Sequence, residues 1–250
     1  MKGIAKIIWS SVGIAIMAGL MTAAVVWGYH SRPSDKPCAG IEYIIEDRAE
    51  RMYLTEKELT GMLDAQDLYP VGKELNNVAL QRIENAILHH PMVRTAECYL
   101  TPKHIVRVHL TQRVPLVRVQ TAVDTYLIDR DRKVMPIRSS VRDHVLVATG
   151  NVGVQIAGGQ IADFAEWTAD EPYWRERIHH LYVQTPKMIY LYLKDEKGMK
   201  EERIVLGSLK EYEKKLKKLK TFYLNSPQEV KDKHYTELDL RYEGQVIGRY

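Results

Sequence analysis

LQRIENAILHHPMVRTAECYLTPKHIVRVHL, residues 80–110, changes its hydrophobic period half-way along. Before His90, Leu80, Ile83 and Ile87 recur at the spacing of one helical face. Pro91 then removes a backbone donor and disfavours helix for the residue before it. Beyond Pro91 the period falls to two. Ala96, Cys98 and Leu100 share one face and the chain turns at Thr101-Pro102-Lys103-His104. Val106, Val108 and Leu110 share the next face, while Arg107 and His109 point the other way. A helix followed by two strands is the expected reading.

Working upstream, Thr55-Glu56-Lys57-Glu58 is a capping box, with Thr55 covering a free amide and Glu58 reaching back. Leu59, Met62 and Leu63 line the helix it opens, and residues 41–45 form a short apolar strand. The order β-α-α-β-β over residues 38–112 defines a compact α+β module.

Further upstream the composition changes. Residues 7–29 carry no charge, and 17 of the 23 positions are apolar. As a helix this run extends about 34 Å, slightly more than the hydrocarbon core of a bilayer. It exceeds the 7–15 residues of a signal-peptide apolar region, and Trp9, Trp27 and Tyr29 sit near its ends where interfacial aromatics belong. We read it as an uncleaved single span after a short cytoplasmic tail, residues 1–6, and before a Pro-containing linker, residues 30–40. Lys2 and Lys6 against Arg32 and Lys36 favour a cytoplasmic N-terminus only weakly. Cys38 lies in the linker and Cys98 on a core-facing strand position, and the sequence leaves a bond between them undecided.

Downstream of Arg113 strands dominate, at residues 116–119, 126–128, 145–148 and 188–193. Residues 161–167 and 172–180 read as helices, with Pro172 suited to a first turn. Ser208 is expected to cap a helix carrying Leu209, Tyr212, Leu216, Leu219 and Tyr223. Residues 235–242, a Glu243-Gly244 turn and residues 245–250 close the chain as a hairpin.

Several chemistries find no footing. With 45% apolar and 27% charged residues the chain is neither disordered nor multi-spanning. Two cysteines exclude a disulfide-dense scaffold and a cysteine-held zinc cluster. No nucleophile elbow, phosphate loop or dinucleotide fingerprint is present. His89-His90 and His179-His180, expected late in helices, diverge too far around the axis to share a metal. Asp129 and Asp131 fall in the polar run Asp129-Arg130-Asp131-Arg132-Lys133, which suits a turn better than a pair of catalytic carboxylates. The net charge of +4 arises in residues 205–225, which hold six lysines and two glutamates. That stripe reads as a solvated helix face, so nucleic acid, cofactor, metal and small-molecule substrate are not expected.

The last strand is less ordinary. Val246, Gly248 and Tyr250 share one face and Gln245, Ile247 and Arg249 the other. A strand left uncovered at a sheet edge offers a row of free amides and carbonyls, and can take up a partner strand.

These segments, in this order, resemble the bacterial FtsQ/DivIB cell-division family. The similarity rests on His90-Pro91-Met92-Val93, Arg113-Val114-Pro115, and Tyr126-Leu127-Ile128-Asp129 with Val134-Met135-Pro136. It continues through Ile204-Val205-Leu206-Gly207 ahead of the Leu/Lys helix, and Tyr235-Thr236-Glu237-Leu238-Asp239-Leu240-Arg241-Tyr242. The family's hairpin has glycine where Arg132 stands, so a differently built turn is expected here. The resemblance implies a POTRA (polypeptide-transport-associated) domain over 38–112, a β domain over 113–250, and no catalysis. It implies an inner-membrane scaffold at the division septum that joins FtsB- and FtsL-type partners and other divisome components. The family's partner contact maps onto Arg241, Tyr242, Gln245, Val246, Ile247, Gly248, Arg249 and Tyr250. Competing readings are a POTRA-bearing envelope secretion or assembly factor, for which one module is few, and an anchored periplasmic enzyme, for which no constellation is found.

Overall fold

The structure, a computed structural model, describes residues 17–22, 36–46, 53–138, 145–194, 201–227, 230 and 235–249. Residues 17–22 are helical; the rest of the expected span, the tail before it and the linker up to residue 35 lie outside the described residues. Among the described residues no helix is long and apolar enough to cross a membrane. The chain divides into two compact units, one holding residues 1–44, 56–87 and 96–109, the other 45–55, 88–95 and 110–250.

The first unit has the expected β-α-α-β-β order: β1 (Gly40–Ile45), α1 (Glu56–Ala65), α2 (Leu80–Leu88), β2 (Val93–Leu100) and β3 (Ile105–Gln112). Its sheet runs β1-β3-β2. Ala39 N–H donates to His104 O and Glu46 N–H to Leu110 O, so β1 and β3 are parallel. The two helices bury Leu59, Leu63, Ile83 and Ile87, and β3 buries Val106 and Val108, the residues that the two periods single out. Cys38 and Cys98 are both free thiols. Cys38 is buried and donates to Gly40 O, and burial pushes the Cys98 thiol up to about 12.

The second unit is built on a nine-stranded mixed sheet, ordered β12-β11-β10-β9-β8-β7-β4-β5-β6. Its strands are β4 (Pro115–Gln120), β5 (Thr125–Asp129), β6 (Val134–Pro136), β7 (Leu146–Gly150), β8 (Ile178–Thr185), β9 (Met188–Lys194), β10 (Glu201–Gly207), β11 (Glu237–Asp239) and β12 (Ile247–Arg249). Helices α3 (Ala162–Asp170), α4 (Pro172–Arg175) and α5 (Tyr212–Asn225) supply Phe164, Trp174, Leu216 and Leu219 to a core under one sheet face. Parallel joints occur at β4–β7, β7–β8 and β10–β11; α3 with α4 lie in the crossover between β7 and β8, and α5 in that between β10 and β11.

Three expectations need correction. Pro172 does open a helix, but that helix ends at Arg175, and His179 and His180 lie on β8. Ile178, Leu181 and Val183 are buried there, and residue 178 begins a strand pairing with β9, which outweighs the helical appearance of the segment. Ser208 does not cap α5: the helix starts at Tyr212 after Glu211, whose φ of 54° ends a turn, and no side chain caps it. Among the described residues the closing hairpin pairs through Asp239–Ile247, Leu238–Gly248 and Glu237–Arg249, so residues 240–246 form a wider loop than a two-residue turn.

The Arg132 turn shows how a residue other than glycine is accommodated. Arg132 adopts a φ of 64°, the left-handed backbone that glycine would supply without strain. Arg132 offsets its strain with two ion pairs, to Asp163 at 2.8 Å and Glu166 at 2.7 Å on α3. Asp129 closes the same turn as expected, its Oδ1 accepting Lys133 N–H at 2.6 Å and its Oδ2 the Arg113 guanidinium at 2.7 Å.

Candidate partner-binding edge

Among the described residues strand β12 ends the sheet, with a neighbour on one side only. Arg249 O accepts Thr236 N–H at 2.8 Å and so points toward β11. Since the N–H and C=O of a strand residue project to the same side, Ile247 and Arg249 are directed at β11. Gly248 turns its backbone groups outward. Val246 packs against the core and Gly248 lies beneath the Tyr235 ring, while Ile247 and Arg249 are exposed on the opposite face. This is the alternation expected from the sequence. Tyr250 lies outside the described residues.

The face away from the helices carries a feature that sequence reasoning missed. Glu237 and Asp239 on β11 are buried carboxylates, 5% and 0% exposed. Arg203 of β10 reaches Glu237 at 2.7 Å, and Arg249 reaches it at 3.2 Å. Arg241 grips Asp239 through Nε and Nη2, at 3.0 and 2.6 Å, and its backbone N–H donates to Oδ1. Arg249 also stands 3.7 Å from Asp239. Burial opposes ionisation of Asp239, yet these bonds and the two arginine charges hold its carboxyl below the usual carboxylate range. The alternation Glu237-Leu238-Asp239, with Arg203, Arg241 and Arg249 elsewhere, is the sequence signal; only the register brings it together.

Behind the edge, the lysine stripe proves not to be wholly solvated. Lys218 of α5 donates to Leu240 O at 3.1 Å and to Tyr242 O, and Lys215 donates to Leu206 O and Ser208 O at 3.1 and 2.8 Å. Burial pushes both ammonium groups down. The α5 helix thus holds the segment that presents Arg241 and Tyr242. Tyr242 is half exposed, 49%, with the Arg241 guanidinium 5.9 Å from its ring centre. Gln245 is exposed as well.

On the same sheet face, Arg203 lies across from Tyr192, and Tyr192 across from His180. His180 stacks on Tyr192 at 4.8 Å and shares a hydrogen bond with Thr149 at 2.7 Å. Among the described residues no cluster of histidine, cysteine or carboxylates is arranged to hold a metal.

Residues 114–249 match the protein family described as FtsQ/DivIB, C-terminal related, and residues 36–111 match a POTRA-like domain. The chain belongs to the FtsQ/DivIB family. The FtsQ/DivIB assignment carries a cell-division family role of scaffold type, with divisome proteins as the class of partner. The edge strand, its carboxylate–arginine cluster and the Lys218 contacts all fall within the FtsQ/DivIB match. No curated protein matches the chain.

Proposed function

We propose that this FtsQ/DivIB protein is a membrane-anchored divisome scaffold. In this reading residues 7–29 anchor it in the inner membrane with residues 1–6 in the cytoplasm. The two units then stand in the periplasm at the septum. FtsB- and FtsL-type partners dock by adding a strand to β12, and through them the protein helps regulate septal peptidoglycan synthesis. The observation that carries the reading is the outward-facing backbone of Gly248 on a terminal strand, flanked by exposed Ile247 and Tyr242. Free strand-edge groups give a partner its backbone bonds, and flanking apolar side chains give it specificity.

Deleting residues 245–250 from the full chain tests this. A pull-down with an FtsB-type partner is expected to fail while membrane insertion persists; full binding by the truncated chain sinks the docking assignment. A fluorescent fusion of the full chain is expected to concentrate at midcell, and a uniform envelope signal counts against the septal role.

A further inference from the structure

Three cations that form no ion pair among the described residues line one cleft of the second unit. The cleft, of about 410 Å³, is lined by Arg130, Arg175 and Lys194 where β4, β7 and β8 begin and β9 ends. Since β4, β7 and β8 run parallel and β9 runs antiparallel to β8, these strand ends meet on one side of the sheet. Arg130 follows β5, with its N–H donating to Val114 O. Arg175 ends α4, and its Nε donates to Ala169 O at 2.6 Å, which fixes the guanidinium on the last turn of α3.

Among the described residues none of the three forms an ion pair. The neighbouring arginines differ: Arg113 pairs with Asp129 at 2.7 Å and Arg94 with Asp131 at 2.8 Å, whereas Arg130, between those two aspartates in the chain, pairs with neither. His179 also lines the cleft but is engaged with Glu201 at 3.0 Å. Glu176 is the one carboxylate in the lining. Like charges gathered at a cleft with low-dielectric walls repel one another and concentrate anions there.

We propose that this cleft binds a phosphomonoester carried on an organic stem. Three cations facing one carboxylate exceed what a single carboxylate ligand requires. A phosphomonoester brings up to two negative charges and three free oxygens. Arginine forks meet such oxygens in pairs, and lysine meets them as a point charge. Leu116, Leu146 and Ile178 in the same lining give the stem an apolar wall. The phosphoryl group can belong to a phosphatidic-acid-type lipid or to a soluble ester, the chemistry at the cleft being the same. The site is independent of strand addition at β12.

The test is calorimetric titration of the full chain in a neutral detergent with glycerol 3-phosphate and with short-chain phosphatidic acid, short-chain phosphatidylcholine serving as control. One saturable site is expected for at least one phosphomonoester and none for phosphatidylcholine. Saturation by phosphatidic acid alone identifies a lipid source; equal binding of both identifies a soluble ester. Arg130→Gln with Lys194→Gln, both exposed and checked by thermal melting, is expected to weaken binding at least tenfold. Arg175→Lys, which keeps the charge and loses the fork, is expected to lie between. Absence of saturable binding, or equal affinity in the double variant, overturns the proposal.

Discussion

The ring of Tyr235 lies over Gly248 so closely that a Cβ at residue 248 would come within 2.2 Å of the ring's Cε1. Glycine is therefore required by the approach of a side chain. Gly248→Ala must displace Tyr235, which packs on Phe222 at 6.2 Å, or push β12 away from β11. Overpacking of this kind typically costs about 1–3 kcal/mol. Thermal melting is expected to show a loss in that range, accompanied by weaker binding of an FtsB-type partner.

Arg132 combines backbone strain with ion pairing, and two substitutions separate them. Arg132→Ala keeps the left-handed backbone and loses both carboxylate contacts. Arg132→Gly loses the contacts but relieves a strain of about 1–2 kcal/mol. Denaturant unfolding should place the glycine variant above the alanine variant by about 1 kcal/mol; the reverse order contradicts the balance drawn at this turn.

Asp239 gives acid sensitivity a defined sign. Its carboxyl is held lower in the folded state than in the unfolded chain, so it contributes stability above the unfolded value near 4, and that contribution fades as pH falls through the folded value. Melting temperature is expected to drop below about pH 4 in the native chain. In Asp239→Asn it should start lower at neutral pH and fall less steeply, because the arginines lose an ionised partner at every pH.

Lys218→Met removes the donor that joins α5 to the carbonyls of Leu240 and Tyr242. A charged hydrogen bond of this kind is worth about 1.5–3 kcal/mol, less the apolar contact that methionine restores. A net loss of about 1–2 kcal/mol in thermal unfolding is expected, with partner affinity falling as the segment loosens.

Tyr242→Ala leaves the fold intact, because the ring is half exposed and outside the core. Its effect should appear in binding alone, at about 1–3 kcal/mol, as for aromatic anchors at interface centres. Unchanged affinity by calorimetry removes Tyr242 from the interface.

The first unit was legible because its signal is periodic and local: Leu80, Ile83 and Ile87 before Pro91, then Val106, Val108 and Leu110, all fall on the faces that the structure buries or partly buries. Strand β8 was not, because Ile178 to Thr185 follows a genuine Pro172 helix start, and only pairing with β7 and β9 decides its conformation. The terminal edge was legible as an alternation. The Asp239–Arg241 grip and the Lys218 contacts were not, since they depend on which strand lies beside which and on where α5 sets down its lysines. Arg132 shows the opposite limit: residue identity argued against a left-handed turn, and tertiary ion pairs on α3 overrode it.

The joint between β10 and β11 has a kinetic consequence. The hairpin of β11 and β12 is attached through a short parallel ladder, Arg203–Glu237 to Val205–Asp239, one further bond from Leu240 N–H to Val205 O, and the Lys218 contacts. Opening there, together with release of the Lys218 bonds, would expose Leu238 and free the arginines as one event, without disturbing β7, β8 or β9. In amide hydrogen exchange this corner should behave as its own cooperative unit, trading deuterium ahead of the central strands. A bound partner strand, by spanning the outward amide of Gly248, would slow that exchange at residues it never touches.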